Sequence, residues 1–179
     1  MTLYENSFPK SDEDRHAIWT LMVERDIEAF VSRDWSMVKA DFLADGFFGI
    51  DAGQRDQLDS WRLSFPRLAD YRAAWLEQAS LTFAIADREE IRSGLIGAMT
   101  MRDIEVSGES ALAHKKLDGE ILLRDGTRKQ LRWQSLFHCR KAAGQWKITS
   151  FIGYLPNPVG GAIGGADGDT RPDAPGRTP

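Results

Sequence analysis

Cysteine is nearly absent from this chain: Cys139 stands alone among 179 residues. A single thiol closes no internal disulfide and builds no thiolate metal cage, so a cystine-stapled scaffold is excluded. Histidine is scarce too, with three copies, His16, His114 and His138. There is no His-x-x-x-His and no Cys-x-x-Cys, so no metal-ligand pattern stands out and neither metal nor cofactor is expected. Apolar runs fall far short of the ~20 residues of a membrane-spanning helix. Met1-Thr2-Leu3-Tyr4-Glu5-Asn6 lacks a basic region and an apolar stretch, which predicts no export signal and a cytoplasmic location. An excess of basic charge is also missing. Twenty-three Lys and Arg face 27 Asp and Glu, a net charge of −4, which argues against nucleic acid or anionic lipid as partner.

What is present suits one globular domain: 42% hydrophobic residues and six Trp. Residues 1–10 read as an N-terminal extension, 11–158 as the domain, and 159–179 as a disordered Gly/Pro-rich tail with too few apolar side chains to offset chain entropy. Ser11 reads as a helix cap, followed by Asp12, Glu13 and Asp14, whose charges suit a helix start. Trp19, Val23, Ile27, Phe30 and Val31 then recur at helical spacing. Residues 35–43 predict a second short helix, 47–51 a short strand, 59–63 a single turn and 68–79 a stronger helix. Strands are expected over 93–106, 110–117, 120–124, 128–140 and 145–154. Asp125-Gly126 marks a tight hairpin between two of them. Helices first and strands later predict an α+β fold, a curved antiparallel sheet wrapped on N-terminal helices into a cone that encloses a pocket.

Two stretches sharpen this reading. Residues 42–51, Phe-Leu-Ala-Asp-Gly-Phe-Phe-Gly-Ile-Asp, and residues 137–148, ending Gly144-Gln145-Trp146-Lys147-Ile148, resemble segments of the nuclear transport factor 2-like superfamily, which has a cystatin-like α+β cone. The resemblance implies a small-molecule pocket and Asp51 as a proton-shuttling base at the end of the first strand. At the place of the isomerase-like members' tyrosine oxyanion donor this chain has Ile27. It also implies a homodimer through the outer sheet face.

Site candidates follow. Asp51 is the expected base, or else a turn cap at Ala52-Gly53. His114, on a strand, is a candidate acid or base. Trp61 and Tyr71 flank Pro66 where the cone mouth is expected and are candidate ligand-binding residues. Ser135, sharing a face with Trp133, Phe137 and Cys139, and Tyr154, at the end of the last strand, complete the set. Trp19, Trp75 and Trp146 read as core, and Lys115-Lys116 as part of a solvated basic outer face. The function expected is proton transfer on a small apolar cyclic or carbonyl compound: isomerisation, dehydration or cyclisation. The alternative is a non-catalytic ligand-binding or dimeric interaction module.

Overall fold

The computed structural model describes residues 4–158, so the stretch 159–179 expected to be disordered lies outside the described residues. A long helical segment opens the domain: α1 (Glu13–Trp19), a π-helical stretch (Thr20–Arg25) and α2 (Asp26–Ser32) run on without a break. Asp12 rather than Ser11 caps it, its carboxylate accepting from the Arg15 N–H. The expected apolar stripe is the buried one: Trp19, Val23, Ile27 and Val31 are all in the core. Arg33, in the left-handed region at φ +54°, ends the segment. The second short helix is two 3₁₀ turns, Trp35–Met37 and Lys39–Asp41.

Six strands form one sheet in the order β2-β1-β6-β5-β4-β3. They are β1 (Phe48–Asp51), β2 (Arg62–Phe65), β3 (Met99–Ser107), β4 (Ser110–Leu122), β5 (Arg128–Ala142) and β6 (Gln145–Leu155). The β4–β5 hairpin turns at Asp125-Gly126 as expected. Asp125 Oδ1 accepts from Thr127 N and Oγ1, and Gly126 takes φ +84°, which costs glycine little. One pairing departs from the all-antiparallel expectation: β1 runs parallel to β6, Phe48 opposite Ser150 through Asp51 opposite Gly153.

Two further corrections concern the middle of the chain. The helix expected to stop at Ala79 continues, as α3 (Leu68–Ile85). The strand expected from Ser93 begins only at Met99, because α4 (Arg88–Ala98) precedes it, with Glu89 and Glu90 in its first turn. Gly94 belongs in this helix because a Cβ there would lie 2.7 Å from the Glu120 carbonyl oxygen. The helix therefore sits closer to β4 than a side chain would permit.

Helices and the concave sheet face enclose the core. Along β4, Ala111, Ala113, Lys115 and Leu117 point inward, while Leu112 points out. Aromatic rings fill the interior. Tyr71 on α3 lies 4.9 Å from Phe151, 5.4 Å from Phe65 and 5.8 Å from Phe42, centroid to centroid. Gly49 makes this packing possible, since a Cβ there would sit 2.6 Å from the Phe151 ring.

Candidate functional site

A small cavity of about 40 Å³ lies between the first helical segment and the concave sheet face. Its polar wall is formed by Asp26, Asp41, Lys115 and Tyr71, its apolar wall by Leu21, Met22, Val38, Phe42, Phe137 and Ile148. Each polar group is placed by a different element.

Lys115 comes from the inner face of β4 and is only 7% exposed. A buried ammonium needs both a counter-charge and hydrogen bonds. Its Nζ has both: it donates to Asp26 Oδ2 at 2.7 Å and to the Met22 carbonyl at 2.7 Å. Met22 lies in the π-helical stretch, where wider turns interrupt the regular α-helical hydrogen-bond ladder. Asp26 also faces Trp75 Nε1 at 3.4 Å, and its side chain is 31% exposed.

Asp41 is the most unusual group. It closes the second 3₁₀ turn and is 4% exposed. Its backbone N–H donates to Val38 O at 2.9 Å, and Leu43 N–H donates to Ile148 O at 2.9 Å, which pins the turn to β6. Oδ1 pairs with the Arg25 guanidinium at 2.5 Å. Oδ2, though buried, has no hydrogen-bond partner among the described residues. Burial pushes the carboxyl pKa up to about 6. Arg25 and Lys147 pull the other way without overcoming it, and Asp26 adds to the rise. The group is therefore poised to gain or lose a proton near neutrality.

Tyr71 supplies a phenol. Burial raises its pKa well above the ordinary value, with the Asp26 charge adding to the effect, so it stays protonated and can donate. No hydrogen bond joins its hydroxyl to the described residues.

No protein-family model and no curated protein matches the chain. Solved structures do. A nuclear transport factor 2-like protein of unknown function from Pseudomonas putida is 20% identical, with TM-score 0.52, over 83% of this chain and 89% of that one. A function-unknown protein from Mycobacterium tuberculosis is 18% identical, with TM-score 0.54, over 91% and 86%. A nuclear transport factor 2-like protein with a cystatin-like fold from Novosphingobium aromaticivorans is 15% identical, with TM-score 0.50, over 82% and 84%. This chain has the nuclear transport factor 2-like fold.

Within that fold the residues singled out from sequence are scattered. Asp51 ends β1, and its Oδ1 accepts from Gly53 N at 2.7 Å, the turn-capping arrangement; it does not line the cavity. His114 alternates with the inward Ala113 and Lys115 and so lies on the outer face. Its Nε2 meets Gln134 Oε1 at 2.6 Å, and it is not among the residues that line the cavity. Trp61 precedes edge strand β2 and donates to Arg55 O at 2.9 Å, away from the cavity. Tyr154 donates to Gln78 Oε1 at 3.3 Å, with its ring 6.0 Å from Trp133. Ser135 is buried on the inner face, opposite Lys115 in the β4–β5 register, one neighbour removed from the cavity wall. Of the expected set, Tyr71 alone lines the cavity.

Asp26, Asp41 and Lys115 escaped the sequence reading. Lys115, expected on a solvated outer face, is inward because strand alternation puts it with Ala113 and Leu117. That signal was present in the sequence. So was the i, i+4 spacing of Met22, Asp26 and Phe30, which puts a carboxylate on an apolar stripe. Asp41 carries no local signal, since its burial comes from long-range packing against β6.

Proposed function

We propose that the protein binds a small oxygen-bearing compound in this cavity and moves a proton on it, with Asp41 as acid and base. The reaction class is isomerisation, dehydration or cyclisation. One observation carries the reading: the buried, unpartnered Oδ2 of Asp41 in a cavity it shares with an ammonium and a phenol. General acid–base groups work best with a pKa near the operating pH, and desolvation gives Asp41 that property. Lys115 and Tyr71 are donors suited to polarise a carbonyl or steady a developing oxyanion. A water-sized sphere takes roughly 10–15 Å³, so the cavity admits about three or four non-hydrogen atoms. Only the reacting end of a larger substrate enters, and the rest stays outside, with the part-exposed Asp26 the polar group of the lining nearest to solvent.

Proton exchange in deuterated water tests this directly. The full chain is mixed with a panel of ring ketones, hydroxy-ketones and hydroxy acids, and exchange at carbon or loss of water is followed by NMR. Wild type should turn over at least one compound, and Asp41→Asn should lose about 100-fold or more. Turnover retained in Asp41→Asn sinks the assignment.

A second reading rests on the rings. Phe42, Phe47, Phe65, Tyr71, Phe137 and Phe151 occupy much of the cone, as in a module whose interior is filled by its own side chains. Under that reading the functional surface is the outer sheet face. Leu112 and Leu136 are 56% and 44% exposed there, and we propose that the chain pairs as a homodimer through them.

A further inference from the structure

The charges around the cavity are arranged in two pairs. Lys115 is matched by Asp26, and Arg25 by Asp41. Lys147 stands close enough to Asp41 to act on it, with its Nζ donating to the Ala40 carbonyl. With both pairs ionised the two cancel. A proton on Asp41 leaves the Arg25 charge unmatched and the cavity region one positive charge richer. It also turns Oδ2, or its partner oxygen, from acceptor into donor.

The donor inventory points the same way. An ammonium has three N–H groups, and Lys115 uses two on the protein. The Tyr71 hydroxyl donates to none of the described residues. A protonated Asp41 adds an O–H. With the proton on Oδ2, the carboxylate oxygens of the polar wall are already taken, Asp26 Oδ2 by Lys115, Asp26 Oδ1 by Trp75 and Asp41 Oδ1 by Arg25, so the groups left over are donors. Such a lining suits a ligand that is all acceptor. The volume of about 40 Å³ suits a planar group of three or four heavy atoms.

We propose that the cavity is a carboxylate-binding site, in which the anion's oxygens take the spare N–H of Lys115 and the Tyr71 hydroxyl and meet Asp41 in its protonated form. This deepens the proton-transfer reading by naming the substrate class, and depends on it only for turnover. Binding then takes up a proton. The arriving anion holds Asp41 protonated, so a carboxylic-acid substrate would find its general acid already carrying the proton. The groups facing Asp41 are Arg25 and Asp26 from the first helical segment and Lys147 from β6, with Lys115 from β4 and Tyr71 from α3 across the cavity. The rise of the Asp41 pKa to about 6 places proton uptake at neutral pH rather than in strong acid.

Titration calorimetry on the full chain tests the proposal, with formate, acetate and hexanoate at pH 5.5 and 8.0. One site is expected, weaker by roughly fiftyfold or more at the higher pH, because the unoccupied carboxyl is then almost wholly ionised. Repeating the pH 8.0 runs in buffers of different ionisation enthalpy should report uptake of close to one proton per anion. Tighter binding of formate and acetate assigns the site to a free small acid, and tighter binding of hexanoate to the head of a longer one. Asp41→Asn, which cannot titrate, should bind with the same affinity at both pH values. Absence of saturable binding by all three acids at pH 5.5, or zero proton uptake by wild type, overturns the proposal. Neither outcome touches the turnover assay above, so the two readings fail separately.

Discussion

Lys115 Nζ, from the middle of β4, and Asp26 Oδ2, from the first turn of α2, meet at 2.7 Å inside the cone. This contact ties the helical layer to the sheet. The same Nζ also holds the Met22 carbonyl, at 2.7 Å, so one ammonium joins β4 to two points of the first helical segment.

Lys115→Met should destabilise the protein by about 2 kcal/mol. The substitution strands Asp26 and a helix carbonyl, and the partial exposure of Asp26 keeps the loss below the ~3–5 kcal/mol of a fully buried broken pair. Urea unfolding at pH 7 measures it. Adding Asp26→Leu should restore part of the loss, since the uncompensated carboxylate is then gone.

Asp41 makes stability depend on pH. Its folded pKa is raised above the unfolded one, so between pH 4 and about 6 the native state holds the proton more tightly. Stability therefore falls as pH rises through that window and levels off above it. Asp41→Asn removes the penalty. It should be more stable than wild type by about 2 kcal/mol at pH 8, taking about 1.4 kcal/mol per pK unit and allowing for the lost Arg25 pair, and no more stable at pH 4. Denaturant midpoints of both proteins across pH 4–8 decide it. Parallel curves would refute the assignment.

Cys139 should be inert in the native state. It is fully buried, and burial pushes its thiol pKa up to about 12, which leaves almost no thiolate at neutral pH. A disulfide thiol reagent should react with it only in denaturant, at the rate of unfolding. Prompt native-state reaction would contradict the packing around β5.

Gly49→Ala should cost about 1–3 kcal/mol through overpacking. The added methyl would meet Phe151 at 2.6 Å and Phe65 at 2.9 Å, and both rings are locked in the aromatic cluster. Thermal unfolding measures the loss. An unchanged transition would mean that the rings can shift to make room.

Leu136→Arg tests the proposed pairing of two copies through the outer sheet face. Light scattering after size exclusion should give about 40 kDa for wild type, twice the 20.1 kDa chain mass, and the single-chain mass for the variant. A wild-type mass of one chain at micromolar concentration counts against the pairing.

The fold was readable wherever local pattern and tertiary burial agree. The Trp19–Val31 stripe, the Asp125-Gly126 turn and the alternation along β5 each carry their own signal, and each element forms where that signal puts it. The α4 helix was not readable because Ser93-Gly94-Leu95-Ile96-Gly97 looks extended: two glycines lower helix propensity, and contact with Glu120 and Ile121 overrides it. The site was largely hidden for a related reason. Asp51 and His114 stand where a catalytic residue is expected from motif and residue type. Asp41, a plain aspartate in a 3₁₀ turn, owes its character to β6, which lies about a hundred residues further along the chain.

That distance matters for how the molecule comes into being. The parallel partner of Phe48–Asp51 is Ser150–Gly153, in β6, about a hundred residues later. During synthesis from the N-terminus the first strand has only its neighbour β2 to pair with until β6 emerges, and with it waits the seat of Asp41. A nascent chain cut short before residue 150 would hold helices and a hairpin stack but no finished cavity. The wall that Ile148 gives the cavity is thus among the last parts of the described domain to be made.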